Sequence, residues 1–183
     1  LEMLCTTYRA PIYAYVRSRG YDVHEASDLA QEFFSRFIEK NFLKNVGPEK
    51  GKFRNFILAS LKHFLANEWH KQNAKKRGGD VSFVSLAVSE AEAQYQALGA
   101  TSLTPLDVYR RRWALTLIDR AFERLREEQR SDSSRARFEA VQGYITTSSA
   151  KVPYAELEKQ TGVTASALKV YVHRLRKRYG QLV

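Results

Sequence analysis

Large apolar side chains in this chain recur at steps of three and four residues and nowhere alternate over any length. A helix collects that spacing on one face, whereas a half-buried strand would need a period of two. The spacing therefore predicts an all-α fold. Leu4, Tyr8, Ile12, Tyr15 and Val16 mark a first helix that Gly20 stops, and Asp22 is placed to cap a second. That second helix turns Ala26, Leu29, Phe33, Phe34, Phe37 and Ile38 inward and leaves Asp28, Glu32 and Arg36 outside. Gly47 and Pro48 make a loop of Asn45 to Gly51, since glycine relaxes helical geometry and proline ends it. A third helix is expected from about Lys52 to Lys75, burying Phe53, Phe56, Ile57, Leu61, Phe64 and Leu65, with a basic tail through Arg77 before Gly78 and Gly79.

The character of the chain then changes. From Asp80 to Ser102 it is rich in Ala, Ser, Glu and Gln and has no strong period, which reads as a linker with a short helix near Ser89 to Leu98. Thr104, Pro105 and Asp107 form a helix start signal: an N-cap hydroxyl, a proline whose missing N–H is not needed there, and an acid in the first turn. The helix that follows should bury Leu106, Tyr109, Trp113, Leu117, Phe122 and Leu125 and end near Arg130. Ser131 to Ser134 caps another, carrying Phe138 and Val141 and ending around Gly143. The expected organisation is two small helical domains, residues 1–79 and 104–183, joined by a linker at 80–103, the C-terminal one a helix-turn-helix.

The segment Val152 to Val183 is the most informative. Pro153 opens a short helix with Tyr154, Ala155 and Leu157 inward; Gly162, Val163 and Thr164 make a tight turn; Thr164 caps a final helix from Ala165 to about Tyr179. Two helices around a glycine-containing turn form the helix-turn-helix pattern. At about 100° per residue, Leu168, Tyr171, Val172, Leu175 and Tyr179 share one side, and Ser166, Lys169, Val170, His173, Arg176 and Lys177 share the other. A helix that enters the DNA major groove needs this division, with cations for phosphate beside short side chains that reach base edges. After Glu158 no acidic residue remains.

Charge agrees with that reading. Thirty Lys and Arg against twenty Asp and Glu leave a net +10, which suits a polyanionic partner, either nucleic acid or an anionic membrane surface. No run approaches the roughly 18 apolar residues of a membrane span, so a soluble, cytoplasmic protein is expected. The chain starts at Leu1 rather than Met, so a natural start upstream stays open. The lone Cys5 can form no internal disulfide, fits a reducing compartment and reads as a small buried residue. A phosphate-binding glycine loop, a nucleophile elbow and metal-ligand spacing are all missing, which argues against an enzyme and for no cofactor and no metal. His63 and His70 stand seven apart on one helix side, with Glu68 the nearest carboxylate, and are expected to meet phosphate or solvent.

Leu168-Lys169 followed by His173-Arg174 and Arg176 resembles the recognition helix in region 4 of the extracytoplasmic-function (ECF) bacterial sigma factors, and Tyr154-Ala155-Glu156-Leu157 resembles the helix before it. In region 2, Asp28-Leu29-Ala30-Gln31-Glu32-Phe33-Phe34 is similar to the polymerase-docking segment. Phe53-Arg54-Asn55-Phe56 and the basic tail resemble the segment that reads and opens the minus-10 element. The likeness covers roughly residues 1–79 and 104–183. It implies that Asp28, Gln31, Glu32 and Arg36 face core RNA polymerase, on the coiled coil of its beta-prime subunit, while region 4 sits on the beta flap and the minus-35 element. Promoter DNA at minus-10 would be met by Lys52, Arg54, Asn55, Lys62, His63, Asn67, Trp69, His70 and Lys71. At minus-35 it would be met by Ser166, Lys169, Val170, His173 and Arg174, with Arg176 and Lys177 on phosphate. An anti-sigma factor is a further partner such proteins can have, and the sequence does not identify one.

Trp69 has two readings here: it stacks on an unpaired base, or it is core, one turn after Leu65. Three features depart from the family pattern. His63 stands where Asn is common, Asn67 stands where an acid is common, and Arg126 to Ala150 is longer and more polar than usual. Two other functions compete with the sigma reading: a stand-alone helix-turn-helix regulator, and a polymerase-binding adaptor without promoter activity.

Overall fold

A computed structural model describes residues 2–39, 52–74, 86–99, 102–146 and 152–183. Among these there are nine helices and no strand: α1 (Glu2–Ser18), α2 (Val23–Glu39), α3 (Phe53–Ala74), α4 (Leu86–Gln96), α5 (Pro105–Glu127), α6 (Asp132–Val141), α7 (Gly143–Thr146), α8 (Tyr154–Thr161) and α9 (Ala165–Leu182). The protein is all-α. It divides into two compact units, Leu1–Thr116 and Leu117–Val183, with the division inside α5. The loop expected at Asn45 to Gly51 and the basic tail at Lys75 to Arg77 fall outside the described residues.

In the first unit α1 is the central element. Its residues Pro11 to Val16 are all buried, because α2 and α4 pack on it and rings close on it from further elements. Tyr8 meets Phe53 edge to face at 5.7 Å between centroids, and Tyr15 meets Tyr109 at 6.3 Å. The phenylalanine stripe of α2 lies against α3, where Phe33 and Phe64 are 5.7 Å apart. Burying a side chain as fully as Phe37 contributes about 1.5–3 kcal/mol. Ile38, expected in that stripe, is 40 % exposed instead and lines a groove with Cys5, Arg9 and Phe34. Gly20 ends α1 with a left-handed φ of 95°, and Asp22 and Glu25 cap α2 reciprocally, each carboxylate accepting the other's backbone N–H, at 2.8 and 3.1 Å.

The stretch expected as a linker, 80–103, is corrected in its described part. Helix α4 is built into the first unit: Ala91 belongs to the main core, and Leu98 packs with Ala14 and Val108. Its anchor is polar. Arg17 donates to both carboxylate oxygens of Glu92 at 2.8 Å, and the Tyr13 hydroxyl donates to the same group at 2.6 Å. These hydrogen bonds, the Arg17 guanidinium first among them, outweigh partial burial and hold the Glu92 carboxyl down to about 2.

The second unit is a small bundle around Leu125, Phe138, Val141, Leu157, Leu168, Val172 and Leu175. Ser131 and Ser134 form a reciprocal capping box at the start of α6. Gly143, expected to end that segment, opens the single turn of α7, which buries Tyr144 and Ile145.

Candidate nucleic-acid interface

Local sequence sets the final helix pair. Gly162 closes α8 in the left-handed region, φ 66°, where its N–H reaches the Glu158 carbonyl. Two residues later the Thr164 hydroxyl accepts the Ala167 N–H at 3.3 Å, and the Glu158 carboxylate accepts the Ala165 N–H at 2.9 Å. One acid of α8 thus neutralises the start of α9 and leaves the rest of that helix to cations.

With Leu168, Val172 and Leu175 buried, α9 exposes Ser166, Lys169, Val170, His173, Arg174, Arg176 and Lys177. Val170 is 49 % exposed. Not all of the cations on this helix stand free. Arg176 donates from Nε to the Tyr144 carbonyl at 2.8 Å, and Arg178 is paired with Glu128, whose carboxyl it holds below the usual range. Lys169 lies 5.7 Å from the Tyr154 ring, within reach of a cation–π attraction that steadies its stem. On the opposite edge the Tyr171 hydroxyl donates to the Gln129 side chain at 2.9 Å.

Helix α3 presents a second outward face. Lys52, Asn55, Lys62, His63, Asn67, Trp69 and His70 are all exposed, with the small residues Ala59 and Ala66 between them. Its acid, Glu68, is buried and accepts Arg36 at 2.5 Å, so the exposed face carries no carboxylate. Trp69 is 56 % exposed, which removes the core reading; its ring packs edge to face on His70. Arg54 is drawn inward: it is half-buried, its guanidinium lies 4.5 Å over the Trp113 ring, and its carbonyl accepts the Tyr109 hydroxyl. Lys71 lies on α3, but its side chain is outside the described ones.

Of the polymerase-facing candidates on α2, Asp28 and Gln31 are exposed. Glu32 and Arg36 are half-exposed and paired with each other, and Arg36 also stacks on Phe64, 5.2 Å from the ring centroid. Arg36 therefore ties α2 to α3. It also lines a cleft of about 290 Å³ with Phe33, Phe37, Ser60, His63 and Asn67, which brings one docking candidate beside two DNA candidates.

Sequence reasoning assigned nothing to the end of α1, where a wider cavity of about 620 Å³ joins Arg19 and Tyr21 to Lys62, Trp69, His70 and Pro105. The signal available was the basic cluster of Arg17 and Arg19 before Gly20. Cys5 is half-buried rather than sealed. Among the described residues no group of His, Cys, Asp and Glu could hold a metal ion, and no helix is long and apolar enough to cross a membrane.

The fold and these faces define an all-α chain with carboxylate-free, cation-bearing helix surfaces on both of its units. Compared with known protein families, curated proteins and solved structures, the chain shows no match.

Proposed function

We propose that this chain is a sigma factor of the extracytoplasmic-function type, which directs RNA polymerase to specific promoters and initiates transcription. The observation that carries the reading is that each unit presents one long helix, α3 or α9, whose exposed face holds cations and short polar side chains and no carboxylate. On α9 that face follows a three-residue turn, as a helix meant for the major groove would. On α3 it adds an exposed indole, which suits an opened strand better than a closed duplex. Asp28 and Gln31 leave an acidic-polar edge on α2 for the polymerase, where complementary charge raises encounter rate and fixes register.

In this mechanism α2 docks core polymerase, α9 enters the minus-35 groove and α3 holds the opened minus-10 strand. No bond is made or broken by the chain itself. Binding energy does the work, and each weak contact becomes effective once polymerase fixes the separation of the two units. The protein acts in the cytoplasm, where polymerase and promoter DNA are.

Run-off transcription by core polymerase reconstituted with this chain, on promoter DNA selected by that same holoenzyme, tests the proposal. Initiation that depends on the chain is the expected result. Specific DNA binding by the free chain, with no retention of core polymerase, would make it a stand-alone regulator; retention of core without initiation would make it an adaptor.

A further inference from the structure

Periodicity turns Tyr154 inward and gives it no part in binding. In the structure it is half-buried and lies between the core of the second unit and the outward cations of α9. Its ring meets that of the buried Tyr144 at 4.5 Å between centroids, and the Tyr144 hydroxyl donates to the Val152 carbonyl, which ties this pair to the approach to α8. Two cations of α9 rest on the pair. Lys169 carries its ammonium 5.7 Å from the Tyr154 ring centroid, and Arg176 donates from Nε to the Tyr144 carbonyl at 2.8 Å. Burial first, and then the neighbouring Tyr144, push the Tyr154 phenol up, while the Arg176 guanidinium draws it down, so the four side chains act on one another as a cluster. Lys169 and Arg176 lie about two turns apart on one edge of the helix, about 10 Å along its axis.

We infer that Tyr154 is a positioning residue for duplex recognition: braced by Tyr144, its ring holds the Lys169 ammonium at a set distance from Arg176, so that α9 meets DNA with both cations already in place. A ring that only filled the core would need no cation beside it. Lys169 has no carboxylate partner among the described residues, and the Glu158 carboxylate is turned to the Ala165 N–H, so the ring is what restrains its four-carbon stem. A lysine steadied beforehand loses less rotamer freedom on binding, which is worth about fivefold in affinity. At an exposed site the cation–π contact is weak enough to leave the ammonium able to meet DNA as well. This inference rests on the proposed reading of α9 and deepens it. Neither tyrosine belongs to the DNA candidates that the sequence suggested.

A double-mutant cycle on duplex DNA selected by the protein reads the coupling, in whichever form retains that DNA, holoenzyme or free chain. Tyr154→Leu, which keeps an apolar side chain against the bundle, should weaken retention about fivefold and leave the salt slope unchanged, because no charge is lost. Tyr154→Phe keeps the ring and should bind as wild type does. With Lys169→Ala already in place, Y154L should cost nothing further, since the ring then has no ammonium to hold. A direct signature needs no variant: in the free chain the Lys169 side-chain methylene protons, beside the ring, should resonate upfield of those of the other lysines. Unshifted methylene protons overturn the inference, as does an equal loss from Y154L in both backgrounds, which would make Tyr154 structural only. Y154F as weak as Y154L overturns it too, by assigning the effect to the hydroxyl. The two levels of reading fail differently. K169A without effect on retention removes Lys169 from the DNA face and the positioning role with it, whereas K169A that weakens retention beside an uncoupled Y154L loses the positioning role alone.

Discussion

At the scale of single residues, the Glu92 carboxylate does the most structural work for its size. It receives Arg17 twice and Tyr13 once, at side-chain exposures near one fifth for the Arg17 pair, so removing it leaves the guanidinium without its counter-charge, held only by the Tyr21 carbonyl, and takes the Tyr13 hydroxyl's acceptor away. Glu92→Gln should lower the stability of the first unit by roughly 2 kcal/mol in urea unfolding at neutral pH. The sign of the pH dependence follows from the lowered carboxyl. Glu92 sits near 2 when folded and near 4.5 when not, so its contribution is whole above pH 4.5 and drains away as the pH falls toward 2. The gap between wild type and the Gln variant should therefore narrow across that window, and a gap that stays constant would count against the assignment. A second pair of residues separates docking from structure. Asp28→Ala should cut retention of core polymerase with little change in Tm, since Asp28 is exposed and surface substitutions usually stay within about 0.5 kcal/mol. Arg36→Ala should lower Tm as well, because it leaves the buried Glu68 without the guanidinium it accepts at 2.5 Å.

Helices make plain what a sequence can and cannot say. Starts and stops were legible, because they are written in a few adjacent residues: Asp22 with Glu25, Thr104 with Asp107, Ser131 with Ser134, and Gly162 before Thr164 all act within one turn. The outward faces of α3 and α9 followed from periodicity for the same reason, and the candidates whose side chains are described on them are exposed, apart from Arg54. Partners distant in the chain were not legible. Nothing local in Ser89 to Leu98 announces that Glu92 will meet Arg17, 75 positions away, so a helix integral to the first unit looked like a linker. Arg36 and Arg54 look like free cations until Glu68 and Trp113 close on them, and α1 reads as amphipathic although Pro11 to Val16 is buried all round. The turn before α9 offers a clean test at this scale. A methyl group added at Gly162 meets nothing within 4 Å, so Gly162→Ala should cost only the strain of its left-handed backbone, about 1 kcal/mol in thermal unfolding. A much larger loss would mean that the turn is packed more tightly than the structure shows.

For the whole molecule the question is whether both units hold nucleic acid at once, and salt can answer it. Each phosphate that a cation neutralises releases counterions, so the slope of log affinity against log salt counts contacts rather than energies. Lys177 on α9 and Lys62 on α3 are exposed, belong to different units and share no partner, so their effects should add. In holoenzyme bound to promoter DNA, Lys177→Ala should flatten the slope by about 0.9, the duplex value, and Lys62→Ala by about 0.7, the single-strand value. The double variant should lose about 1.6, the sum of the two. Promoter retention at several potassium concentrations measures all three. A stand-alone regulator, which binds DNA as the free chain, would show the α9 effect in that form and none from Lys62, because its first unit would never meet an opened strand. A chain that held DNA only through the first unit would show the reverse. Additive flattening by both lysines is the result that two separate helices gripping one promoter require.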